Sequence, residues 1–335
     1  MMAMMQALRV AAVALAAMVG QAGAQGISFF SIGTGGTGAT YYPLGGVIAN
    51  AVSNPPGSRP CAEGGSCGVP GLIAMAQSSR GSLDNIDGVK SGLFNSGFVQ
   101  SDVAFWAYTG TGSFAGQTPA RDLRAIAALY LEHIQLVALR GSGVASVADL
   151  RGKRVSLDEK GSGSYVNALE ILGAFGLGES DVAPRYMKTS QAADAMLAGE
   201  LDAFFITSGY PTNAIIELAA RADITLVPIA GPEAARIADT LGFYSLDTIP
   251  ADAYRGIGAT KTLAVGAQWI TSAQADEALI YAITSALWNA QTRQLLDVGH
   301  AKGREVTLET ALSGVAIPLH DGAARFYREK GMLGQ

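Results

Sequence analysis

The chain is 335 residues long, with 15% charged residues, 42 glycines and a formal net charge of -5. That length accommodates two lobes with real cores. The mildly acidic balance lacks the basic footprint that a phosphate backbone requires, which excludes nucleic acid as a partner. From the N-terminus, Met1 to Met5 lead into Arg9, the only charge before residue 25, then into an apolar run over 10–19 that ends at Ala22, Gly23 and Ala24. This order predicts a secretory signal peptide over residues 1–24, cleaved before Gln25, and export to the periplasm. The run is shorter than the roughly 20 residues of a membrane span, and no cysteine stands at the cleavage position to take a lipid.

Beyond the leader, strand-like and amphipathic helical segments alternate, the pattern of an α/β protein with mainly parallel sheets. Residues 27–32 predict a first strand, a glycine-rich loop follows, and 43–52 predict a first helix. The turn-rich stretch 55–71 holds both cysteines, Cys61 and Cys67. In an oxidising compartment two cysteines so close in one loop pair as a disulfide. The other reading, half of a metal site, lacks a second Cys/His pair nearby. A strand at 72–76 precedes a helix that Ser82 would cap, with Leu83, Ile86, Val89 and Leu93 on one face. Residues 97–100 form a strand running into Ser101 and Asp102, placed to cap the helix of Val103, Phe105 and Trp106. Residues 123–129 and 134–139 are apolar enough for two buried strands, joined at Tyr130, Leu131, Glu132 and His133.

The pattern then restarts, as a second lobe would require. Segments 147–150 and 153–157, the loop Gly161-Ser162-Gly163-Ser164 and a helix through Leu169, Leu172 and Phe175 repeat the order strand, loop, helix. Residues 186–188, a helix at 191–198, a strand at 201–206, a helix through Ile215, Ile216 and Leu218 and a strand at 224–229 continue it. A strand at 262–270, a long helix at 274–296 and a short helix at 323–329 end the chain.

Two motifs suggest enzymes and fail on context. Gly33-Thr34-Gly35-Gly36-Thr37-Gly38 fits the dinucleotide pattern between a strand and a helix. The acidic residue due about 20 positions on is missing, because that region is the cysteine loop. Gly64-Gly65-Ser66-Cys67-Gly68 fits G-x-S-x-G, but a loop precedes it and Pro70-Gly71 follows, so it is no nucleophile elbow. His133, His300 and His320 show no metal-ligand spacing and no spacing that joins one to Ser66, and read as surface or hinge residues. What remains is one loop of glycines and hydroxyls in each half, Thr34 to Thr37 and Gly161 to Ser164. Each opens a helix, where N–H groups and hydroxyls suit an anion without an arginine. Either loop alone is also ordinary turn material. Their equivalent places in two α/β units favour a ligand, since open sheets bind beyond the C-terminal ends of their strands.

The segment Ser31-Ile32-Gly33-Thr34-Gly35-Gly36-Thr37-Gly38-Ala39-Thr40-Tyr41-Tyr42-Pro43-Leu44-Gly45 resembles the opening signature of the TAXI family of TRAP-transporter solute-binding proteins. Similar segments follow in family order: Gln100-Ser101-Asp102-Val103-Ala104, Leu129-Tyr130-Leu131-Glu132, Asp149-Leu150-Arg151-Gly152-Lys153-Arg154-Val155, Gly161-Ser162-Gly163-Ser164, Leu201-Asp202-Ala203-Phe204-Phe205 and Ile317-Pro318-Leu319-His320. Ser164 stands where relatives often carry threonine, and Leu131 where proline is common. The cysteine loop is an insertion relative to the shortest members, either a decoration or a reshaped cleft mouth.

The resemblance implies a type II periplasmic binding-protein fold, two α/β lobes joined by crossing strands around a ligand cleft. Lobe one would be 27–130 plus 262–335 and lobe two 131–261. It implies a monomer without cofactor, metal or catalysis. Such a protein captures a small carboxylate, dicarboxylate or amino acid such as glutamate for a TRAP membrane permease with fused large and small subunits. A secreted enzyme on a related fold and a receptor for a signalling partner are the alternatives. The ligand residues expected are Thr34, Gly36, Thr37 and Tyr41, then Gln100, Ser101 and Asp102, then Tyr130 and Glu132 at the crossing. Gly161, Ser162, Gly163, Ser164 and Tyr165 would close over the other end, with Gly209, Tyr210 and Pro211 as a further wall. Asp102 and Glu132 would receive an ammonium or hydroxyl group, or serve as helix cap and hinge.

Overall fold

The computed structural model describes residues 26–334, so the expected signal peptide and its cleavage point lie outside the described residues. The chain opens with strand β1 (Ser28–Gly33), helix α1 (Tyr41–Val52), the short strands β2 (Ser53–Asn54) and β3 (Val69–Pro70), strand β4 (Leu72–Gln77), helix α2 (Ser82–Ser91), strand β5 (Ser96–Gln100) and helix α3 (Ser101–Thr109). There follow β6 (Leu123–Leu139), β7 (Arg154–Ser156), α4 (Gly163–Ala174), β8 (Ala183–Arg185), α5 (Thr189–Leu197), β9 (Ala203–Ser208), α6 (Asn213–Arg221) and β10 (Ile224–Val227). The last elements are α7 (Pro232–Leu241), β11 (Tyr244–Ile249), β12 (Thr260–Ser272), α8 (Glu277–Leu287), α9 (Ala290–Gly299) and α10 (Asp321–Glu329). Among the described residues no helix is long and apolar enough to cross a membrane.

The strands form two units of the same order. In the first, β4 and β5 flank β1 in parallel, and β12 runs antiparallel between β5 and β6. In the second, β8 and β9 flank β7 in parallel, and β6 runs antiparallel between β9 and β10. Strands β6 and β12 therefore each serve both units, and their shared stretch, from Tyr130 opposite Ala267 to His133 opposite Ala264, joins the halves. This is the two-lobed type II arrangement with crossing strands. Each half has its own apolar core: Phe30, Ile48, Phe98 and Trp269 in the first, Leu136, Val155, Leu172 and Phe205 in the second. Burying side chains of this size contributes about 1.5–3 kcal/mol each. Beside the crossing, Phe105 and Trp106 of α3 pack on Phe243, with ring centroids 5.0 and 6.1 Å away, so an apolar contact also links the halves.

Several local expectations are corrected. The two strands expected around 130–133 are one strand of 17 residues, because the backbone there pairs with β12 and its polar side chains are buried, Glu132 on Tyr41 and His133 on Asp247. Segment 147–150 is a 3-10 turn in which Asp149 Oδ2 accepts the Ser146 N–H and the Ser146 hydroxyl, each at 2.8 Å. The strand expected at 186–188 lies three residues earlier, as β8. Gly81 takes the cap position of α2, and the Ser82 hydroxyl instead accepts the Gln100 N–H at 3.2 Å. The long helix at 274–296 breaks in two at Asn289, whose side chain accepts the Thr292 N–H at 2.8 Å and caps α9. The sequence reading missed α7 and β11; Pro232 in the first turn and Gly242 just past the end mark that helix by the usual start and stop asymmetry. His320 is buried and His300 half-buried; each accepts a backbone N–H through Nδ1, from Gly322 and Lys302, and so acts as a cap rather than a surface residue.

Cys61 and Cys67 are joined in a disulfide. Their loop docks on the break between α8 and α9: the Cys67 N–H donates to Gln291 Oε1 at 2.8 Å and Asn289 Nδ2 donates to the Cys67 carbonyl at 3.1 Å. A Cys61→Ala/Cys67→Ala variant is expected to lose about 2 kcal/mol of unfolding free energy, the loop-closure term for so short a ring. Urea titration of both proteins checks this, and an unchanged midpoint would contradict it.

Candidate functional site

A small cavity of about 40 Å3 lies where the halves face each other, at the C-terminal ends of β5, β7 and β9 and the loop after β1. This is the position where open α/β sheets take ligands. From the first half it is lined by Gly35, Gly36, Tyr41, Ser82 and Gln100, from the crossing strand by Glu132, and from the second half by Asp158, Glu159, Ser162, Gly163, Ser164 and Thr207, among others.

At the crossing strands, Glu132 is 2% exposed and its Oε2 accepts the Tyr41 hydroxyl at 2.6 Å. Burial pushes the Glu132 carboxyl up to about 8, against the pull of the Tyr41 hydrogen bond. Burial, with Glu132 beside it, holds Tyr41 well above the usual phenol range. Gln100 ends β5 and is 2% exposed, and its Oε1 has no hydrogen-bond partner. On the second half, Ser162 caps α4 by accepting the Tyr165 N–H at 3.0 Å, and Ser164 Oγ accepts the Thr207 N–H at 2.9 Å. Asp158 takes a left-handed backbone, φ 69°, and accepts the Glu159 N–H at 2.8 Å. Burial lifts its carboxyl to about 7, opposed by the Glu159 N–H and the Ser164 and Ser162 hydroxyls. The two cations of the lining, Arg80 and Lys188, are exposed, and Arg80 is paired with Asp84 at 2.6 Å.

The halves meet directly around this space. The Leu83 and Asp84 N–H groups both donate to the Gly161 carbonyl at 3.1 Å. The Thr40 hydroxyl donates to the Gly209 carbonyl at 2.9 Å, and Ser208 Oγ donates to Thr40 Oγ1 at 2.9 Å. Gly163 has to be glycine for this approach: a Cβ there would stand 1.9 Å from Gln100 Oε1 and 2.7 Å from Ser82 Oγ.

Of the residues expected from the sequence, Gly36, Tyr41, Gln100, Glu132, Ser162, Gly163 and Ser164 line the cavity. The others lie outside its lining. Thr34 is buried and its hydroxyl donates to the Gln77 carbonyl at 2.6 Å, while Thr37 is exposed. Ser101 is buried. Asp102, fully buried, accepts the Val103 N–H at 2.7 Å, Asn167 Nδ2 at 2.8 Å and the Tyr244 hydroxyl at 2.5 Å, and burial still raises its carboxyl above the usual range. That places Asp102 in a structural network between α3 and the second half. Tyr130 is buried beside Gly209 and Lys302. Gly161 and Gly209 supply carbonyls to the contacts between halves. Tyr165 donates to Glu179 at 3.2 Å. Tyr210, followed by Pro211 across a cis bond, stacks on His133 at 4.7 Å and under Lys302 at 4.0 Å. The cysteine loop contributes nothing to the lining.

Asp158 and Glu159 are the functional candidates that sequence reasoning missed. A signal existed: they follow the expected strand 153–157 and precede the glycine loop, the strand end where ligands collect.

Comparison with known proteins gives a profile match to the NMT1-like family over residues 32–331. A solved protein from Bordetella bronchiseptica RB50 aligns with a TM-score of 0.52 at 16% identity, covering 91% of this chain and 82% of that one, which shows a shared fold. The alkanesulfonate-binding protein SsuA from Xanthomonas axonopodis pv. citri, bound to MOPS, aligns with a TM-score of 0.44 at 16% identity, over 92% and 96% of the two chains. DctP7, a Bordetella pertussis extracytoplasmic solute receptor binding pyroglutamic acid, aligns with a TM-score of 0.44 at 14% identity, over 91% and 93%.

Proposed function

From the premise that this chain belongs to the NMT1-like family, we propose that it is an exported solute-binding protein that captures a small carboxylate, dicarboxylate or amino acid between its lobes. The observation that carries this reading is the cavity itself: Gly36, Tyr41 and Gln100 face Ser162, Gly163 and Ser164 across it, with Glu132 at the crossing, so neither half alone offers a complete polar set. Lobe one is 27–130 with 262–335 and lobe two is 131–261, hinged where β6 and β12 pair between them. Ligand closes the lobes by as much as it prefers the closed form over the open one. The TAXI resemblance of the glycine loops and crossing segment supports delivery, in the periplasm and as a monomer, to a TRAP-type permease with fused large and small subunits.

A thermal-shift screen over organic acids and amino acids tests the reading. A true ligand at a hundred times its dissociation constant stabilises the folded state by about 2.7 kcal/mol. It is expected to be recovered unaltered by mass spectrometry, with a smaller radius of gyration in scattering. Turnover at a catalytic rate, or a screen without any binder, removes the proposal.

A further inference from the structure

The lining of the cleft gathers several acceptor and acid groups. Gln100 Oε1 is buried, unpartnered and set against Gly163 on the opposite wall. Glu132 is equally buried, with the Tyr41 hydroxyl on one oxygen. Asp158 and Glu159 line the other side, while Arg80 and Lys188 stay at the exposed rim, Arg80 already paired with Asp84. The first turn of α4, which glycines and hydroxyls seemed to reserve for a ligand carboxylate, is faced by the carboxyl of Asp158 and its serine neighbours. Burial of Glu132 and the crowding of acids around it make their ionisation unfavourable until a cation meets them, so a ligand cation is favoured there.

We propose that the cleft selects solutes bearing a protonated amine, held by Glu132 and the Gln100 carbonyl oxygen with Asp158 as a further acceptor, and that it rejects solutes offering carboxylates alone. This rests on the solute-binding reading and narrows it. A carboxylate on the same ligand is directed to the rim, where Arg80 and Lys188 lie.

The choice of an amine ties binding to a proton. Glu132 stands at about 8, facing the Tyr41 hydroxyl from α1, Asp102 from α3 and Lys302 from the turn after α9. Asp158, at about 7, faces Glu159 and the Ser162 and Ser164 hydroxyls. Below the Glu132 value the free cleft holds a proton there, and an ammonium group favours the ionised carboxylate. Binding then releases the proton, and affinity rises with pH by up to about tenfold per unit until pH nears the free-state value. A ligand of carboxylates alone needs the proton kept, so its affinity falls as pH rises.

The test is a thermal-shift screen of the mature chain with matched pairs, each amino acid beside its 2-oxo or 2-hydroxy counterpart, for example L-glutamate beside 2-oxoglutarate, together with simple amines. Calorimetry of each binder near pH 6 and pH 7, in buffers of different ionisation enthalpy, then reads the proton. The expected result is binding by amine members only, about tenfold tighter at the higher pH, with proton release. Glu132→Gln, which keeps the shape of the protonated acid, is expected to flatten that pH profile and erase most of the preference for the amine member. A 2-oxo acid or dicarboxylate that binds as well as its amine partner, proton uptake, or affinity falling with pH overturns the inference and leaves the solute-binding reading standing. A screen in which nothing binds removes both.

Discussion

Replacing Gly163 by leucine is expected to weaken ligand binding at least about a hundredfold while the protein stays folded. The glycine lies in the first turn of α4 and meets the opposite half so closely that even a Cβ would stand 1.9 Å from Gln100 Oε1 and 2.5 Å from its Cδ. Gln100 and Ser82 are both buried, so neither side chain can swing away into solvent. The halves must therefore part, which removes the Leu83 and Asp84 bonds to Gly161 and separates Gln100 on one wall from Asp158 on the other, so that one ligand no longer meets both. Losing two hydrogen bonds to a charged group, at about 1.5–3 kcal/mol each, exceeds a hundredfold in affinity. Both cores lie elsewhere, so the unfolding transition should survive. Calorimetry with the ligand from the screen, beside scattering to report compaction, decides the matter. A folded variant with wild-type affinity would take this approach of the halves out of the binding mechanism.

Asp102→Ala is expected to lower stability by about 3 kcal/mol, the largest effect of any polar truncation outside the cleft. The carboxylate takes the Tyr244 hydroxyl and Asn167 Nδ2, and Asn167 in turn accepts the Thr207 hydroxyl at 2.7 Å. Truncation leaves the buried Tyr244 hydroxyl without its acceptor and removes one of two acceptors of Asn167 Nδ2, and an unsatisfied buried donor is penalised by about 1–3 kcal/mol. The network also ties α3 of one half to α4, β9 and β11 of the other, so loosening it should reduce ligand affinity without any contact to ligand. Denaturant titration measures the first effect and calorimetry the second. A loss below about 1 kcal/mol would mean that the network is loosely held and water reaches it.

The elements most legible in the sequence were those whose apolar spacing is decided locally. The strands β1, β5 and β9 and the helices α1 and α4 lie within a few residues of where periodicity puts them. Crossing strands are the opposite case. Glu132 and His133 interrupt the apolar run of β6, and only their partners from distant segments, Tyr41 and Asp247, make burial there affordable. The same holds for the site. Gln100, Glu132 and the loop Ser162 to Ser164 were found because position at strand ends carries information and the family resemblance pointed to them. Thr34 lies outside the lining because a hydroxyl beside a glycine loop can turn either way, and the parallel pairing of β1 with β4 puts the Gln77 carbonyl within its reach. Asp158 gives no sign in its own residue pattern of the half-buried, lifted carboxyl it becomes in the fold, and only its place after the strand at 153–157 points there.

The crossing of β12 also fixes an order of assembly. The second unit draws most of its sheet from β6 through β10, which can pair once residue 227 is available, before Leu263 and Val265 of β12 complete its core. The first cannot, since β12 is the strand that separates β5 from β6, and it arrives only with residues 260–272. Until then Phe98 and Phe30 wait without Trp269, the ring they pack against edge-on. A chain emerging in sequence therefore pairs most of its middle first, and carries an unfinished N-terminal half until segments as distant as Asn95 and Thr271 can meet. Such non-local pairing is slow, and the exposed apolar surface it leaves is the point at which aggregation or a holding chaperone competes with folding.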